Sequence, residues 1–216
     1  MEKLRKLANE AEPFLFISSD TLNEDIDLVK SKKIKNIALH GFQEYKLNHI
    51  DWFEEIGAQI ESLILTPPNK SDFFYNGLKY CTNLKRVTIN NKTNDEIDLT
   101  NNTKIENLSL LNYKPVTGIE NLTKLENLNL TNKTPAKLLT REVFDRFLNL
   151  KSLSLQGVKL SAGLEFLEKT PLENLILFNC RNSSLKGLLA LNITSLDIDR
   201  CKNIDNEELI LSLIHI

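Results

Sequence analysis

Hydrophobic positions in this chain gather into a six-residue phrase, apolar-x-x-apolar-x-apolar, that returns eight times. It reads IKNIAL at 34–39, IESLIL at 60–65, LKRVTI at 84–89 and IENLSL at 105–110. It continues as LENLNL at 125–130, LKSLSL at 150–155, LENLIL at 172–177 and ITSLDI at 193–198. The fourth positions are Ile37, Leu63, Val87, Leu108, Leu128, Leu153, Leu175 and Leu196, at separations of 26, 24, 21, 20, 25, 22 and 21 residues. The end of most phrases alternates apolar and polar residues, the period of a β-strand. Leu128 and Leu130 then point one way, and Asn127, Asn129 and Thr131 the other. A strand with two leucines cannot bury them alone. Stacking successive strands in parallel joins the leucines into one core and leaves the opposite face as an exposed sheet.

Between strands the chain must return along the other side. SDFFYNGLKYCTNL (71–84) opens on a Ser-Asp capping candidate, and TREVFDRFLNL (140–150) places Thr140 ahead of Glu142, so both read as helical returns. NEDIDLVKSKK (23–33) is acidic at its start and basic at its end, which suits a helix dipole. The shortest returns have room for little more than a 3₁₀ turn. Ahead of the first phrase, PFLFISSD (13–20) reads as an extra strand, with residues 1–12 as a short amphipathic helix over it. Residues 1–33 are thus expected to cap the open end, and 34–210 to hold about eight repeats.

These phrases and their spacing resemble the leucine-rich-repeat family, whose repeats run about 20–29 residues. The resemblance covers about residues 34–210. It implies an α/β fold: a right-handed solenoid, or horseshoe, with a parallel concave sheet and short helices or 3₁₀ turns on the convex side. The family's Asn or Cys three residues past the last leucine is present only as Cys180 and Cys201. Asn91, Asn112, Asn132 and Asn179 stand one position earlier, where each could hydrogen-bond the backbone as the strand turns into its loop. The last repeat resembles the cysteine-containing subtype, and the cysteine-rich flanks of extracellular members are not seen.

Composition narrows the picture further. At 216 residues, 41% hydrophobic and 26% charged, the chain has ordinary globular composition and can bury a substantial core. A net charge of −2 gives no global pull toward nucleic acid or an anionic membrane, and neither is expected as a partner. Three cysteines without metal-ligand spacing suit a reducing compartment. The first residues do not form a secretory signal, and no apolar run approaches the roughly 20 residues of a membrane helix. A cytoplasmic location is expected. The abundance of Asn, Lys and Ile points to an AT-rich, bacterial genome.

Candidate chemistry is sparse. His40, His49 and His215 are far apart in sequence and match no metal motif, and no phosphate loop, dinucleotide fingerprint or nucleophile elbow occurs. Neither a metal nor a cofactor is expected. Cys180 and Cys201 occupy equivalent places on adjacent repeats and read as packed thiols before a redox pair. Asp197 and Asp199, two apart on one strand, read as an acidic edge before an acid pair or a metal site. KSKKIK (30–35) reads as a solvated helix end before a phosphate contact.

What remains is the exposed sheet face. Its candidate contact residues are Arg86, Thr88, Asn90, Ser109, Leu111, Asn129, Thr131, Ser154, Gln156, Ile176, Phe178, Asp197 and Asp199. Most are small and polar, so a partner can approach closely, and Ile176 with Phe178 has the character of an anchor. The expected function is non-enzymatic binding of another protein, as in a bacterial immunity or adaptor protein. The alternative is the substrate-recruiting arm of a larger enzyme, such as a ubiquitin-ligase-type effector. LSLIHI (211–216) fits the phrase again, with its fourth position, Ile214, only 18 residues after Leu196. It also matches the translation of a transposase sequencing adaptor, so it is either a ninth strand or a non-native tail.

Overall fold

The computed structural model describes residues 4–5, 12–40, 45–66, 72–90, 96–111, 116–131, 138–181 and 184–203. Expectations about Asn91, Asn112, Asn132 and LSLIHI lie outside these residues. The strands are β1 (Leu4–Arg5), β2 (Phe14–Phe16), β3 (Asn36–His40), β4 (Ser62–Thr66), β5 (Arg86–Asn90) and β6 (Ile97–Asp98). They continue as β7 (Asn107–Leu111), β8 (Val116–Thr117), β9 (Asn127–Thr131), β10 (Ser152–Gln156), β11 (Asn174–Phe178) and β12 (Ser195–Asp199). The α-helices are α1 (Leu22–Lys32), α2 (Phe53–Ile56) and α3 (Arg141–Phe144). The fold is α/β, with mostly parallel strands and few, short helices.

The chain divides into two compact units, Met1–Ile105 with Lys114–Asn121, and Glu106–Tyr113 with Leu122–Ile216. In unit 1, β2, β3, β4 and β5 pair in parallel in that order, β1 pairs antiparallel with β2, and β6 pairs in parallel with β8. In unit 2, β7, β9, β10, β11 and β12 pair in parallel in sequence order. Each of the eight phrases begins its strand at the third residue and runs one residue past its end. Equivalent positions stand side by side without slippage, so Leu108, Leu128, Leu153, Leu175 and Leu196 form one column.

Entry into β4, β5 and β9 to β12 is built from one repeated contact. The carbonyl of Lys35 accepts from the N–H groups of Glu61 and Ser62, and that of Glu61 from Lys85 and Arg86. In unit 2 the carbonyls of Glu106, Glu126, Lys151 and Glu173 do the same for the next strand. Exit is also repeated: Gly157, Asn179 and Arg200, the residues just after β10, β11 and β12, all have φ between 52° and 69°. The N–H of Gly157 donates to Phe178 O, and that of Asn179 to Asp199 O, both at 2.8 Å. Asn179 therefore serves the turn through its backbone. It tolerates the left-handed region better than most residues, and this is the role that the expectation had given to a side-chain hydrogen bond.

Leucines and isoleucines on the inner strand face are buried in β3 to β11, together with the first apolar residue of the phrase from Ile60 to Leu172, which enters the core just before its strand. The second strand expectation is met at PFLFISSD, where Leu15 aligns with Ile37. Residues 4–5 form a strand where an amphipathic helix was expected, because their backbone pairs with Phe14 and Leu15.

α1 matches its sequence signal and ends on Lys33 in the left-handed region. The return over 71–84 does not, in its described residues 72–84, become a regular helix. It holds a five-residue 3₁₀ segment, Asn76–Tyr80, and a Cβ at Gly77 would lie 1.9 Å from the carbonyl oxygen of Ile50. Backbone packs directly on backbone there, which only glycine allows. α3 starts after Thr140 as expected, but the carbonyl of Thr140, and not its hydroxyl, makes the contacts, accepting from Val143 and Phe144.

Candidate binding face

In unit 1 the strand face opposite the core carries the column Phe16, Ala38, Ile64, Thr88 and beside it Asn36, Ser62, Arg86. Phe14, Asn36, Ala38 and Ser62 on this side are themselves buried, whereas Phe16, His40, Ile64 and Thr66 are half-buried. Arg86 donates from Nε to Ser62 Oγ at 2.8 Å, which lays its side chain across to the preceding rung. Arg86, Thr88 and Asn90 share the face as expected and are half-buried.

In unit 2 the outer face is read from the register as three columns. One runs Asn107, Asn127, Ser152, Asn174, Ser195; the next Ser109, Asn129, Ser154, Ile176, Asp197; the third Leu111, Thr131, Gln156, Phe178, Asp199. Every unit 2 residue proposed from sequence stands in the last two columns. Their exposure differs: Thr131 is only 5% exposed, so it is covered where a free contact was expected. Ser109, Leu111, Asn129, Ser154, Gln156 and Phe178 are half-buried, whereas Ile176 is 38% exposed and Asp197 and Asp199 are open. Asn127 Nδ2 donates to Asn107 Oδ1 at 2.8 Å, one link of a polar ladder across rungs. Asn129 Oδ1 is buried with no hydrogen-bond partner among the described residues.

The face changes character at β11 and β12. Ile176 stands beside Asp197, and Phe178 beside Asp199. Arg200 follows at the strand exit with φ 54°, its guanidinium 5.4 Å from the centroid of the Phe178 ring and its Nε 3.6 Å from Asp199 Oδ2. A cation over an aromatic face is attracted by the ring quadrupole.

The cysteines sit beneath this end. Cys180 N–H points to Cys201 Sγ at 3.3 Å, and each thiol donates to the preceding rung, Cys180 to Leu155 O and Cys201 to Leu177 O, both at 3.3 Å. Burial is the largest effect on the Cys180 thiol, pushing its pKa up to about 11, and it does the same to Cys81, to about 12. Thiols so held are poor nucleophiles at neutral pH. Among the described residues no three His, Cys, Asp or Glu side chains converge to hold a metal ion, and no helix is long and apolar enough to cross a membrane.

Sequence reasoning missed two features. One is a cleft of about 930 Å³ in unit 1, where Leu4, Pro13, Leu28 and Ile34 give an apolar lining and Lys32 and Lys33 of the basic run reach the rim. Two other lysines of that run are taken up by Glu55 and Glu61, at 2.7 and 2.6 Å. The other is a set of amides on the return side. Asn102, fully buried, donates from Nδ2 to the carbonyls of Leu78 (3.0 Å) and Cys81 (2.8 Å), while Asn83 and Asn149 reach the carbonyls of Ala58 and Thr123. The Asn in T-N-L (82–84) and L-N-L (148–150) carried that signal in its place just before the phrase's first leucine. No protein-family model and no curated protein sequence matches this chain.

Proposed function

We propose that this chain is a leucine-rich-repeat binding module that holds another protein on the outward face of its parallel strands and carries out no chemistry of its own. The observation that supports it is the make-up of unit 2's outer columns. Over five paired strands they hold short amides and hydroxyls, Leu111, the apolar pair Ile176 and Phe178, and two carboxylates, above an inner face of leucines and isoleucines. The buried ladder fixes the spacing of the outer side chains, so a partner meets a surface already ordered, and little conformational entropy is lost on contact. Half-buried Ser, Asn and Gln side chains let a partner's backbone come near and still find hydrogen-bonding groups.

Capture of interacting proteins from the native cell tests this. A Ser154→Lys substitution puts a long charged side chain in the middle of unit 2's face, whereas Lys79→Ala alters the return-side segment Asn76–Tyr80. The first should abolish capture of a protein that the wild type retains, with an unchanged melting curve, and the second should leave capture intact. Loss through Lys79→Ala alone would move the binding surface to the return side.

A further inference from the structure

Covering the β11–β12 end of unit 2's outer face would have one unavoidable consequence. Ile176 and Phe178 are flanked across the ladder by Asp197 and Asp199, so a partner that buries the apolar pair also takes both carboxylates out of water. A buried carboxylate without a cation or donors is strongly disfavoured. The fifteen outer positions of the five strands contain no lysine or arginine to supply one. Arg200 is the cation beside them, and it approaches Asp199 only; Asp197 has no ion-pair partner among the described residues. The three charges leave the corner net negative.

We propose that this corner takes a protein segment that presents a lysine or arginine next to a branched or aromatic apolar side chain. The cation sits against Asp197 and Asp199, and the apolar group packs on Ile176 and Phe178. The chain's own Arg200 shows the chemistry in place: a guanidinium lies over the Phe178 ring and beside Asp199 at once. Asp197 and Asp199 are two residues apart on one strand and so point the same way, about 7 Å apart at the backbone, a span one ammonium or guanidinium can share. An acidic segment or a nucleic acid would meet like charge here, and an uncharged apolar segment would strand both carboxylates. This inference rests on the reading of the outer face as a binding surface and adds the sign and chemistry of the partner.

The test is selection of a random twelve-residue peptide library displayed on phage against the full chain, in wild-type form and as Asp197→Lys with Asp199→Lys. Wild type should enrich peptides with Lys or Arg within two residues of Leu, Ile, Phe, Tyr or Trp. The charge-reversed protein should enrich Asp or Glu in the same place. A synthetic copy of the best wild-type binder should lose at least tenfold in affinity to Asp197→Asn with Asp199→Asn, and weaken as salt rises. The neutral pair also carries the test if the reversed pair does not fold. Binders that Ser154→Lys abolishes but both Asp pairs leave untouched would overturn the charge inference and leave the binding face standing. No enrichment, or binders insensitive to all these changes, would overturn both.

Discussion

Arg200 has a backbone that suits glycine better than arginine. Its φ of 54° repeats that of Asn179 and Gly157 at the same place after the two preceding strands. For a residue with a Cβ, this region costs about 1–2 kcal/mol, part of which glycine gives back through the greater freedom of its unfolded chain. The turn that leads out of the strand imposes the geometry, and each rung meets it with a different residue. Arg200→Gly should therefore be more stable than Arg200→Ala by about 1 kcal/mol, since both lose the contacts to Phe178 and Asp199 and only the backbone differs. Urea midpoints at equal slope would measure the gap. Equal midpoints would mean that the exit turn is not left-handed. Sequence reasoning saw Asn recurring at this position and assigned the side chain a hydrogen bond. The backbone conformation was invisible because Gly, Asn and Arg look unrelated until their φ values are compared.

Among the elements, the entries to β3, β4 and β5 carry a second layer over their shared backbone contact. Glu61 sits between Lys35 at 2.6 Å and Lys85 at 2.9 Å, one from the rung on either side. The hydrogen bonds from Lys35 and then Lys85 are the main causes that bring its pKa from 4.5 down to about 2. The folded carboxylate thus holds its proton less tightly than the unfolded one. The stability it adds is complete above about pH 4.5 and disappears as the pH falls toward about 2. Glu61→Gln should be less stable than wild type at neutral pH, and the gap should close through that window when urea melts are compared at each pH. Because the pair is partly exposed, high salt should narrow the gap as well. A gap that stays constant down to pH 2 would show that Glu61 makes no ion pairs with the lysines.

The eight phrase strands were legible because the phrase encodes them directly: two inward apolar residues, an outward residue between them, and an apolar residue just before the strand begins; β1, β6 and β8 carry no such phrase and were not expected. The returns were less legible. SDFFYNGLKYCTNL has the composition of a helix, yet the chain must close onto the next rung within a fixed spacing, and Gly77 lies against the Ile50 carbonyl where a regular helix would need room. The outer face was placed in the right columns, but alternation says which way a side chain points and not what else covers it. Thr131, Asn36 and Ser62 point outward and are buried all the same.

Over a whole unit, a stack of repeats is stabilised by each rung and by its interfaces with the neighbours on either side. Unit 1 gives its first parallel strand, β2, a partner on both sides, with β1 antiparallel to it and β3 parallel. In unit 2, β9, β10 and β11 are each flanked by two strands and their inward leucines are buried. β12 pairs only with β11 among the described residues, and its inward Leu196 and Ile198 are half-buried. A rung with one interface and a partly wet core opens more easily than one with two. Amide hydrogen exchange within unit 2 should therefore slow from β12 to β10, with at least tenfold between them, about 1.4 kcal/mol of opening free energy. The β12 N–H groups bonded to β11 are the ones to follow, since they share donor type and ladder geometry with those of β10. Equal protection in the two strands would mean that β12 is held from its other side. The gradient also bears on the proposed partner. Asp197 and Asp199 lie on the strand that opens first, so a basic segment docked there should raise protection in β12 most and leave β10 nearly unchanged.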